Sequence, residues 1–301
     1  MHYALALHGG AGNSVGQLST EQRCEVRELL AEALRIGRRL LADGGGSLDC
    51  VEQVVRLLED EPRFNAGRGS VLNAAGACEL DAAIMDGRTR ACGAVAGVRT
   101  VRHPVSLARL VMTHSEHVLL IAEGAEQFAD GMQIERVAPD FFRTDRRIEQ
   151  WRRLSSDAEQ ARRIQDEQRG TVGCVARDGA GNLAAATSTG GIVMKQFGRV
   201  GDSPLIGAGT FADNATCAVS CTGKGEQFIR HVVAYDVAAR VAYEKLPVDE
   251  AVRQVLRQKL QPGDGGVIAV DRDGHLTIDF NTAGMYRAAA DSQGRFEVGV
   301  E

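Results

Sequence analysis

The feature that most constrains the fold is a set of short segments that are apolar at almost every position. Examples are Ala94-Val95-Ala96-Gly97 and Ala184-Ala185-Ala186-Thr187, each within a run typical of a β-strand. Such a strand has to be covered on both faces, because successive side chains point to opposite sides of a sheet. Two sheets packed face to face, with helices on the outside, would cover these strands.

The remaining segments predict how the sheets are built. Helical periodicity and capping residues predict helices over residues 19–42, 47–60, 105–115, 122–129, 226–243 and 248–260. Strands are predicted over residues 80–86, 91–98, 172–177, 183–189, 205–210, 216–221, 266–271 and 275–280. Hairpins outnumber strand–helix–strand units, so we expect largely antiparallel sheets and an α+β fold.

Length and composition favour one globular domain over residues 1–301. Hydrophobic residues make up 44% of the 301 positions and charged residues 25%, enough to form a sizeable core. We find neither a repeat nor a low-complexity linker. The least ordered stretch is predicted to be Asp130 to Arg169, in which the polar run from Thr144 is typical of a helix followed by a mobile linker.

Charge and targeting signals exclude several classes of partner. The net charge of −5, without a basic stripe, argues against nucleic acid binding. No uncharged apolar run approaches the roughly 18 residues that a membrane helix needs. The start of the chain is typical of a buried strand rather than a signal peptide. The seven cysteines lack a Cys-x-x-Cys pair, so we interpret them as reduced core residues of a cytoplasmic protein.

Gly170-Thr171-Val172-Gly173 is the strongest candidate for a catalytic element. It lies where the charged segment ending at Arg169 meets a predicted strand. Cleavage before Thr171 would give it both a nucleophilic hydroxyl and an α-amine of pKa about 7.7–8.0 to act as its base. Gly170 lacks a Cβ atom and would tolerate the strained backbone of an N→O acyl shift. The plain start of a strand is the alternative interpretation.

Further hydroxyl groups end the neighbouring strands. Thr187 and Thr189 end the strand that pairs with the Thr171 strand in the predicted hairpin, so either side chain can lie close to Thr171. Thr222 ends another strand, and its hydroxyl with the N–H of Gly223 can form an oxyanion hole at a helix start. An edge threonine and a simple helix cap are the alternatives.

Two loops carry candidate binding groups. Arg199 and Asp202 lie three residues apart in Gly198–Pro204. A guanidinium that grips a carboxylate, together with an aspartate that binds an ammonium, could recognise an amino-acid zwitterion, although a surface ion pair is the commoner case. Asn65 lies in Phe64-Asn65-Ala66-Gly67, where it can reach the active site while backbone carbonyls hold a hard cation.

Together these motifs resemble the plant-type asparaginases, also called isoaspartyl peptidases, of the N-terminal nucleophile hydrolase superfamily. The likeness spans nearly the whole chain and fades only around residues 133–169. The matching stretches are His8–Gly12, Phe64–Gly67, Glu79–Ala82, Met85–Gly87, Gly93–Val98, Gly170–Gly173, Thr187–Gly191, Gly198–Pro204, Asn281–Thr282 and Met285–Arg287.

The resemblance implies a four-layer αββα sandwich, with two mostly antiparallel sheets between helix layers. It also implies a precursor that cleaves itself between Gly170 and Thr171. The products would be an α chain of residues 1–170, in which 133–169 form a variable linker, and a β chain of residues 171–301. Two cleaved protomers would pair as an (αβ)₂ homodimer.

The family resemblance implies a catalytic role for each of five residues. Thr171 is the nucleophile and Thr189 is the helper that hydrogen-bonds to it. Thr222 and the Gly223 N–H form the oxyanion hole, and Asn65 is a supporting polar group near the nucleophile.

The resemblance also implies a substrate site. Arg199 takes the α-carboxylate of the substrate and Asp202 its α-ammonium, beside Thr222, Gly223 and Gly225. The implied reaction passes through a β-aspartyl ester on the threonine nucleophile. It releases ammonia from L-asparagine or an amino acid from β-aspartyl dipeptides.

No cofactor is expected for catalysis, but family members often carry a structural sodium ion. The ion would be held by backbone carbonyls of Leu58, Glu59, Glu61, Phe64, Ala66 and Arg68. Two departures from the family pattern, Met194 in place of asparagine and Lys224 in place of a small residue, put the leaving-group preference in doubt. A glycosylasparaginase-like amidohydrolase and a non-processing aspartate-binding protein are the alternative functions.

Overall fold

Two antiparallel sheets lie between two layers of helices in a computed structural model that describes residues 2–12, 18–156 and 170–301. The α-helices of these residues are α1 (Thr20–Ala42), α2 (Ser47–Asp60), α3 (Pro104–His114), α4 (Ala122–Gly131), α5 (Asp145–Ser155), α6 (Gly225–His231), α7 (Val233–Ala239) and α8 (Val248–Gln258). Short 3₁₀ helices cover Gly67–Gly69 and Pro139–Phe142, and a π-helix covers Arg240–Glu244.

The strands divide between a large sheet and a small sheet. They are β1 (Ala4–Ala11), β2 (Leu80–Asp86), β3 (Cys92–Val98), β4 (Leu119–Ile121), β5 (Val172–Arg177), β6 (Leu183–Thr189), β7 (Thr210–Ala212), β8 (Cys217–Gly223), β9 (Gly265–Asp271), β10 (Leu276–Phe280), β11 (Met285–Asp291) and β12 (Phe296–Gly299). The large sheet has the order β12-β11-β1-β5-β6-β2-β3-β4 and the small sheet β10-β9-β8-β7. All these pairs are antiparallel except β3 with β4.

Three apolar layers explain why the strands are apolar on both sides. One joins the large sheet to α1–α4 and includes Leu5, Leu7 and Ile84. The alternate residues of the same strands, such as Ala4 and Ala6, face the small sheet across a second layer. A third layer joins the small sheet to α6–α8. The predicted four-layer sandwich is therefore confirmed. Within the described residues, no helix combines the length and the apolar character needed to cross a membrane.

Local sequence patterns predicted most element boundaries well. Helix α1 begins after Ser19, which forms the predicted capping box with Gln22, and α2 has the predicted bounds. Helix α5 begins after Thr144, as predicted, whereas residues 157–169 of the predicted linker lie outside the described residues. The cysteines of the described part are free thiols, but Cys24 is exposed on α1 rather than in the core.

Two predicted elements are wrong. The strand predicted over residues 205–210 is mostly turn, because Gly207 adopts φ +89° and its N–H bonds back to the carbonyl of Thr210. The helix predicted over residues 226–243 is broken at Val232, which adopts a left-handed φ of +48° between α6 and α7. Strands β4, β11 and β12 were not predicted.

Candidate active site

Thr171 lies at the start of β5, directly beside the end of β6. The register of the two strands pairs Val172 with Ser188, which brings Thr171 next to Thr189. The Thr171 hydroxyl donates a hydrogen bond to the Thr189 hydroxyl at 3.2 Å, and both residues are buried. The predicted proximity of these two side chains is therefore present in the structure.

The carbonyl of Gly170, which belongs to the peptide bond before Thr171, is held by two side chains. Asn65 donates from Nδ2 at 2.8 Å, and Thr189 donates from Oγ1 at 3.2 Å. Asn65 is itself fixed, because its second amide proton bonds to the carbonyl of Gly191 at 2.6 Å and its Oδ1 accepts from the N–H of Val71 at 2.9 Å. Two donors aimed at one carbonyl polarise it toward nucleophilic attack.

The close approach of Asn65 requires glycine at position 170. A Cβ atom there would lie 2.9 Å from the Cβ of Asn65, closer than side chains pack. The hydrogen bonds of Thr189 are also self-consistent. Its oxygen accepts from Thr171 and from the N–H of Gly191 at 3.0 Å, and its single proton is left for the Gly170 carbonyl.

Thr222 and Gly223 end β8 close to this point. The Thr222 hydroxyl is buried and accepts a hydrogen bond from the N–H of Ala11 at 3.3 Å. Gly223 adopts φ +155°, and a Cβ atom there would lie 2.1 Å from the carbonyl oxygen of Asp264. Only glycine fits at this end of β8.

Arg199 and Asp202 line the same pocket, but the ion-pair partner of Arg199 is Glu226. The Arg199 Nε and Nη2 atoms each donate to one carboxylate oxygen of Glu226, both at 3.0 Å. Asp202 is buried, and its Oδ2 has no hydrogen-bond partner among the described residues. Burial raises the pKa of Asp202 to about 7, against the opposing influence of Arg199. A buried, unpartnered carboxyl group is suited to bind a cationic ligand.

Gly225 leaves room for these two side chains beside its backbone. A Cβ atom at Gly225 would lie 2.9 Å from Nη2 of Arg199 and 3.0 Å from Oδ1 of Asp202. The Glu226 carboxylate that follows is 43% exposed. Burial raises the pKa of Glu226, but Arg199 outweighs this and holds the pKa below its ordinary value.

One small pocket joins the nucleophile candidate to the binding candidates. Its lining residues are Gly170, Thr171, Thr189, Gly191, Ile192, Arg199, Gly201, Asp202, Ser203 and Gly223. Of the other residues predicted for the site, Asn65 bonds to Gly170, Thr222 directly precedes Gly223, and Gly225 follows Gly223 by two positions. Sequence reasoning missed Glu226, Ser203 and Ile192. Glu226 directly follows Gly225 in the chain. This position next to a predicted site residue was the signal that could have identified Glu226.

The loop predicted to hold sodium packs closely around two of its backbone carbonyls. A Cβ atom at Gly67 would lie 2.2 Å from the carbonyl oxygen of Glu59, and one at Gly69 would lie 2.0 Å from that of Phe64. The carbonyl oxygens of Glu59 and Phe64 therefore lie against these glycines, and oxygen donors of this kind suit a hard cation. The Glu59 carboxylate points elsewhere, to the Ser188 hydroxyl at 2.6 Å and the Val105 N–H at 3.1 Å. The chemistry of these donors is therefore of the kind that the predicted cation needs.

Comparison with known proteins decides the family. A family model described as Asparaginase matches residues 1–300. The chain belongs to the asparaginase family. Among curated members, it is 50% identical over 293 residues to an isoaspartyl peptidase of Salmonella typhimurium, covering 94% of each chain. It is 49% identical to an isoaspartyl peptidase of Escherichia coli, covering 94% of this chain and 91% of the relative. An isoaspartyl peptidase/L-asparaginase of Danio rerio is 42% identical over 98% of this chain and 94% of its own length.

The two departures from the family pattern have different surroundings in this asparaginase-family chain. Met194 adopts a left-handed φ of +58°, a conformation in which asparagine is favoured over most side chains. It packs against Val71, Leu154 and Val193, so apolar contact with α5 accompanies this unusual backbone. Lys224 directly precedes α6, and its N–H donates to the carbonyl of Asp264 at 2.7 Å.

Proposed function

We propose that this chain is a self-processing threonine hydrolase that acts on the side-chain acyl group of L-aspartate. Its substrates would be L-asparagine and β-aspartyl dipeptides, and its cleaved protomers would pair as (αβ)₂. The activities for which the relatives are named support this activity. The observation that carries the mechanism is the Thr171 hydroxyl bonded to Thr189, beside a Gly170 carbonyl that receives two donors.

Processing would begin with attack of the Thr171 oxygen on the carbonyl carbon of Gly170. The hydroxyl proton passes to Thr189 as Thr189 releases its own proton toward the departing nitrogen, and the oxyanion is stabilised by Nδ2 of Asn65. Collapse breaks the C–N bond, and the departing nitrogen takes up a proton to become the α-amine. Water then hydrolyses the ester, which leaves a carboxylate on Gly170 and a free hydroxyl on Thr171.

Turnover would use the same oxygen with the new amine as its base. The Thr171 oxygen attacks the side-chain acyl carbon of the substrate while the amine accepts the hydroxyl proton. The Thr222 hydroxyl and the Gly223 N–H stabilise the oxyanion. The leaving ammonia or amino acid carries the proton away, and water resolves the β-aspartyl ester to L-aspartate.

Arg199 and Asp202 would bind the part that all these substrates share. Glu226 already occupies Nε and Nη2 of Arg199, so the substrate α-carboxylate would be bound through Nη1 or would displace Glu226. The unpartnered Oδ2 of Asp202 would receive the α-ammonium. Because these charged groups would bind only the aspartyl part of the substrate, the leaving group can vary.

The test is an intact-mass spectrum combined with substrate assays. Cleavage before Thr171 predicts pieces of about 18 and about 14 kDa, in proportion to 170 and 131 of the 301 residues of the 32.2 kDa chain. Native mass spectrometry of the same sample reports the (αβ)₂ assembly. We expect hydrolysis of β-aspartyl-leucine. Preference for aspartylglucosamine would favour a glycosylasparaginase, and an uncleaved, inert chain that binds L-aspartate would favour a binding protein.

Inhibition by the product L-aspartate is expected to depend on the ionisation of Asp202. With its pKa raised to about 7, this carboxyl is mostly protonated at about pH 6 and mostly ionised at about pH 8. The protonated form cannot pair with an ammonium, so we expect an inhibition constant about tenfold weaker at the lower pH.

The control for this pH dependence is Asp202→Asn, which cannot ionise at position 202. We expect its inhibition constant to be weak and nearly independent of pH. An inhibition constant of the wild type that stays the same across this range would contradict the assignment of Asp202 as the ammonium site.

We also propose that a structural sodium ion steadies the loop before Gly69. It would be held by the backbone carbonyls of Leu58, Glu59, Glu61, Phe64, Ala66 and Arg68. Exchange of sodium for tetramethylammonium, which is too large for the loop, is expected to lower the melting temperature by several degrees. Equal melting temperatures in both salts, at equal ionic strength, would count against the ion site.

A further inference from the structure

His8 makes a contact with Thr171 that the reaction scheme above does not use. Its imidazole is completely buried in β1, with Nδ1 2.8 Å from the carbonyl oxygen of Thr171 and Nε2 3.0 Å from the hydroxyl of Ser220. Burial lowers the pKa of His8 to about 4, although the bond to the Thr171 carbonyl works against this. The ring is therefore neutral near neutral pH and carries one proton.

The partners of the ring determine which nitrogen carries that proton. A carbonyl oxygen only accepts, so Nδ1 of His8 is the donor to Thr171 and Nε2 is left as an acceptor. The Ser220 hydroxyl must then donate to Nε2. The Ser220 oxygen can accept from Thr187 at 2.7 Å, and Thr187 in turn can accept from Thr210 at 2.7 Å. The result is a buried chain of hydrogen bonds with a single direction, which ends on the carbonyl of Thr171.

This chain connects the two sheets. His8 and Thr187 belong to the large sheet, in β1 and β6, whereas Ser220 and Thr210 belong to the small sheet, in β8 and β7. It also accounts for the second glycine of Gly170-Thr171-Val172-Gly173. A Cβ atom at Gly173 would lie 2.1 Å from Oγ of Ser220 and 2.5 Å from Nε2 of His8, so any other residue would displace the histidine or the serine.

Thr171 itself lies just outside the regular strand pairing. The pairing of β5 with β6 begins at Val172, and that of β5 with β1 begins at Gly173. The carbonyl of Thr171 thus receives its hydrogen bond from a side chain. After cleavage, the peptide bond that fixes Thr171 on its N-terminal side no longer exists. The orientation of its carbonyl then helps to set where its amine and hydroxyl point, because the carbonyl carbon, the amine and the Cβ atom that carries the hydroxyl are all bonded to one Cα atom.

We propose that His8 is a positioning residue for the nucleophile. By holding the carbonyl of Thr171, it keeps the freed amine and hydroxyl aimed at the substrate, and Ser220, Thr187 and Thr210 hold the imidazole in the required tautomer. The inference rests on the proposed function, because it concerns the same nucleophile. Positioning of this kind acts on kcat more than on KM, since misplacement of a reacting group by about 1 Å can cost about 10²-fold in rate.

A matched pair of amide substitutions tests the proposal. The Asn amide can stand where Nδ1 of His8 stands, so His8→Asn retains a donor to the Thr171 carbonyl. The Gln amide reaches toward the position of Nε2, so His8→Gln retains a partner for Ser220 and loses the bond to Thr171. With kcat taken per processed chain by intact mass, we expect His8→Gln to lose about 10- to 100-fold in kcat with KM within about twofold. His8→Asn should stay within about threefold of the wild type.

A merely structural role predicts a different pattern. It predicts lower melting temperatures for both variants and an unchanged kcat for the molecules that remain folded. The proposal is overturned if His8→Gln turns over at the wild-type rate, or if both variants lose kcat equally.

If the His8 variants do not cleave, Ser220→Ala provides the second measurement. It leaves the bond to Thr171 in place but removes the donor that fixes the tautomer, so we expect a loss of about three- to tenfold in kcat with unchanged KM. A wild-type kcat for Ser220→Ala would then overturn the proposal. A wild-type protein that neither cleaves nor hydrolyses β-aspartyl-leucine would refute the proposed function instead, so the two failures are distinguishable.

Discussion

Thr171→Ala is expected to remain a single chain of 32.2 kDa that never divides and never hydrolyses a β-aspartyl substrate. Alanine has no hydroxyl to attack the Gly170 carbonyl, so neither the ester intermediate nor the free amine can form. The substitution removes one hydroxyl, whose recorded bond is the 3.2 Å contact with Thr189, so the fold should be retained. Intact mass over several days at neutral pH, beside the wild type, measures the result.

Asn65→Leu is the informative companion to that variant. It keeps the nucleophile but removes the 2.8 Å donor from the Gly170 carbonyl, which leaves Thr189 as the remaining side-chain donor. Loss of one such donor costs about 10²–10³ in rate, so we expect cleavage that is slow but measurable. Cleavage of Thr171→Ala at the same position, or cleavage of Asn65→Leu at the wild-type rate, would contradict the processing mechanism.

Arg199→Leu is expected to lower kcat/KM by about 10²–10³, mainly through KM, for L-asparagine and β-aspartyl dipeptides alike. Truncating one partner of a desolvated, hydrogen-bonded charge pair costs about 2–5 kcal/mol, much of it from leaving the other charge unpaired. The loss should be similar for every leaving group, because Arg199 would contact the half that all substrates share. Initial-rate kinetics with at least two leaving groups check this.

Two controls separate binding from loop structure. Glu226→Gln keeps a polar partner for Arg199 and removes only a half-exposed charge, so we expect a change of less than about tenfold. Arg199→Lys keeps the charge but cannot make the paired bonds to Glu226, so it should fall between the wild type and Arg199→Leu. Wild-type kinetics in Arg199→Leu would remove Arg199 from the substrate site.

The failed predictions have a common physical origin. Residues 205–210 and 226–243 have the composition of a strand and a helix, but packing interrupts both. A Cβ atom at Gly209 would lie 2.5 Å from the carbonyl oxygen of Asp202, and Val232 is held at a positive φ between two short helices. Propensity and periodicity describe a segment in isolation, and tertiary contacts override them where a loop has to pass close to a site.

The strands that were not predicted also show the limit of local sequence patterns. Strand β4 has three residues and joins the edge of the large sheet by parallel pairing with β3. Strand β11 contains Arg287 and Asp291 and pairs with β1, which lies at the other end of the sequence. A local pattern does not reveal a strand as short as β4. It also does not reveal that β11 pairs with a strand at the other end of the sequence.

Sequence by itself predicted two sheets packed face to face with helices outside, and it offered Thr171 as a candidate nucleophile. Runs that are apolar at consecutive positions have to be covered on both faces, and a threonine where a charged segment meets a strand can become an N-terminal nucleophile. Both conclusions depend only on residues close together in the chain.

The tertiary structure alone decided how that nucleophile is held. Asn65 meets the Gly170 carbonyl across 105 positions, and His8 meets the Thr171 carbonyl across 163. Arg199 turned out to face Glu226 as well as the pocket. Hydrogen bonds form over about 3 Å whatever the separation along the chain, so these partners were fixed only when distant segments of the chain packed together.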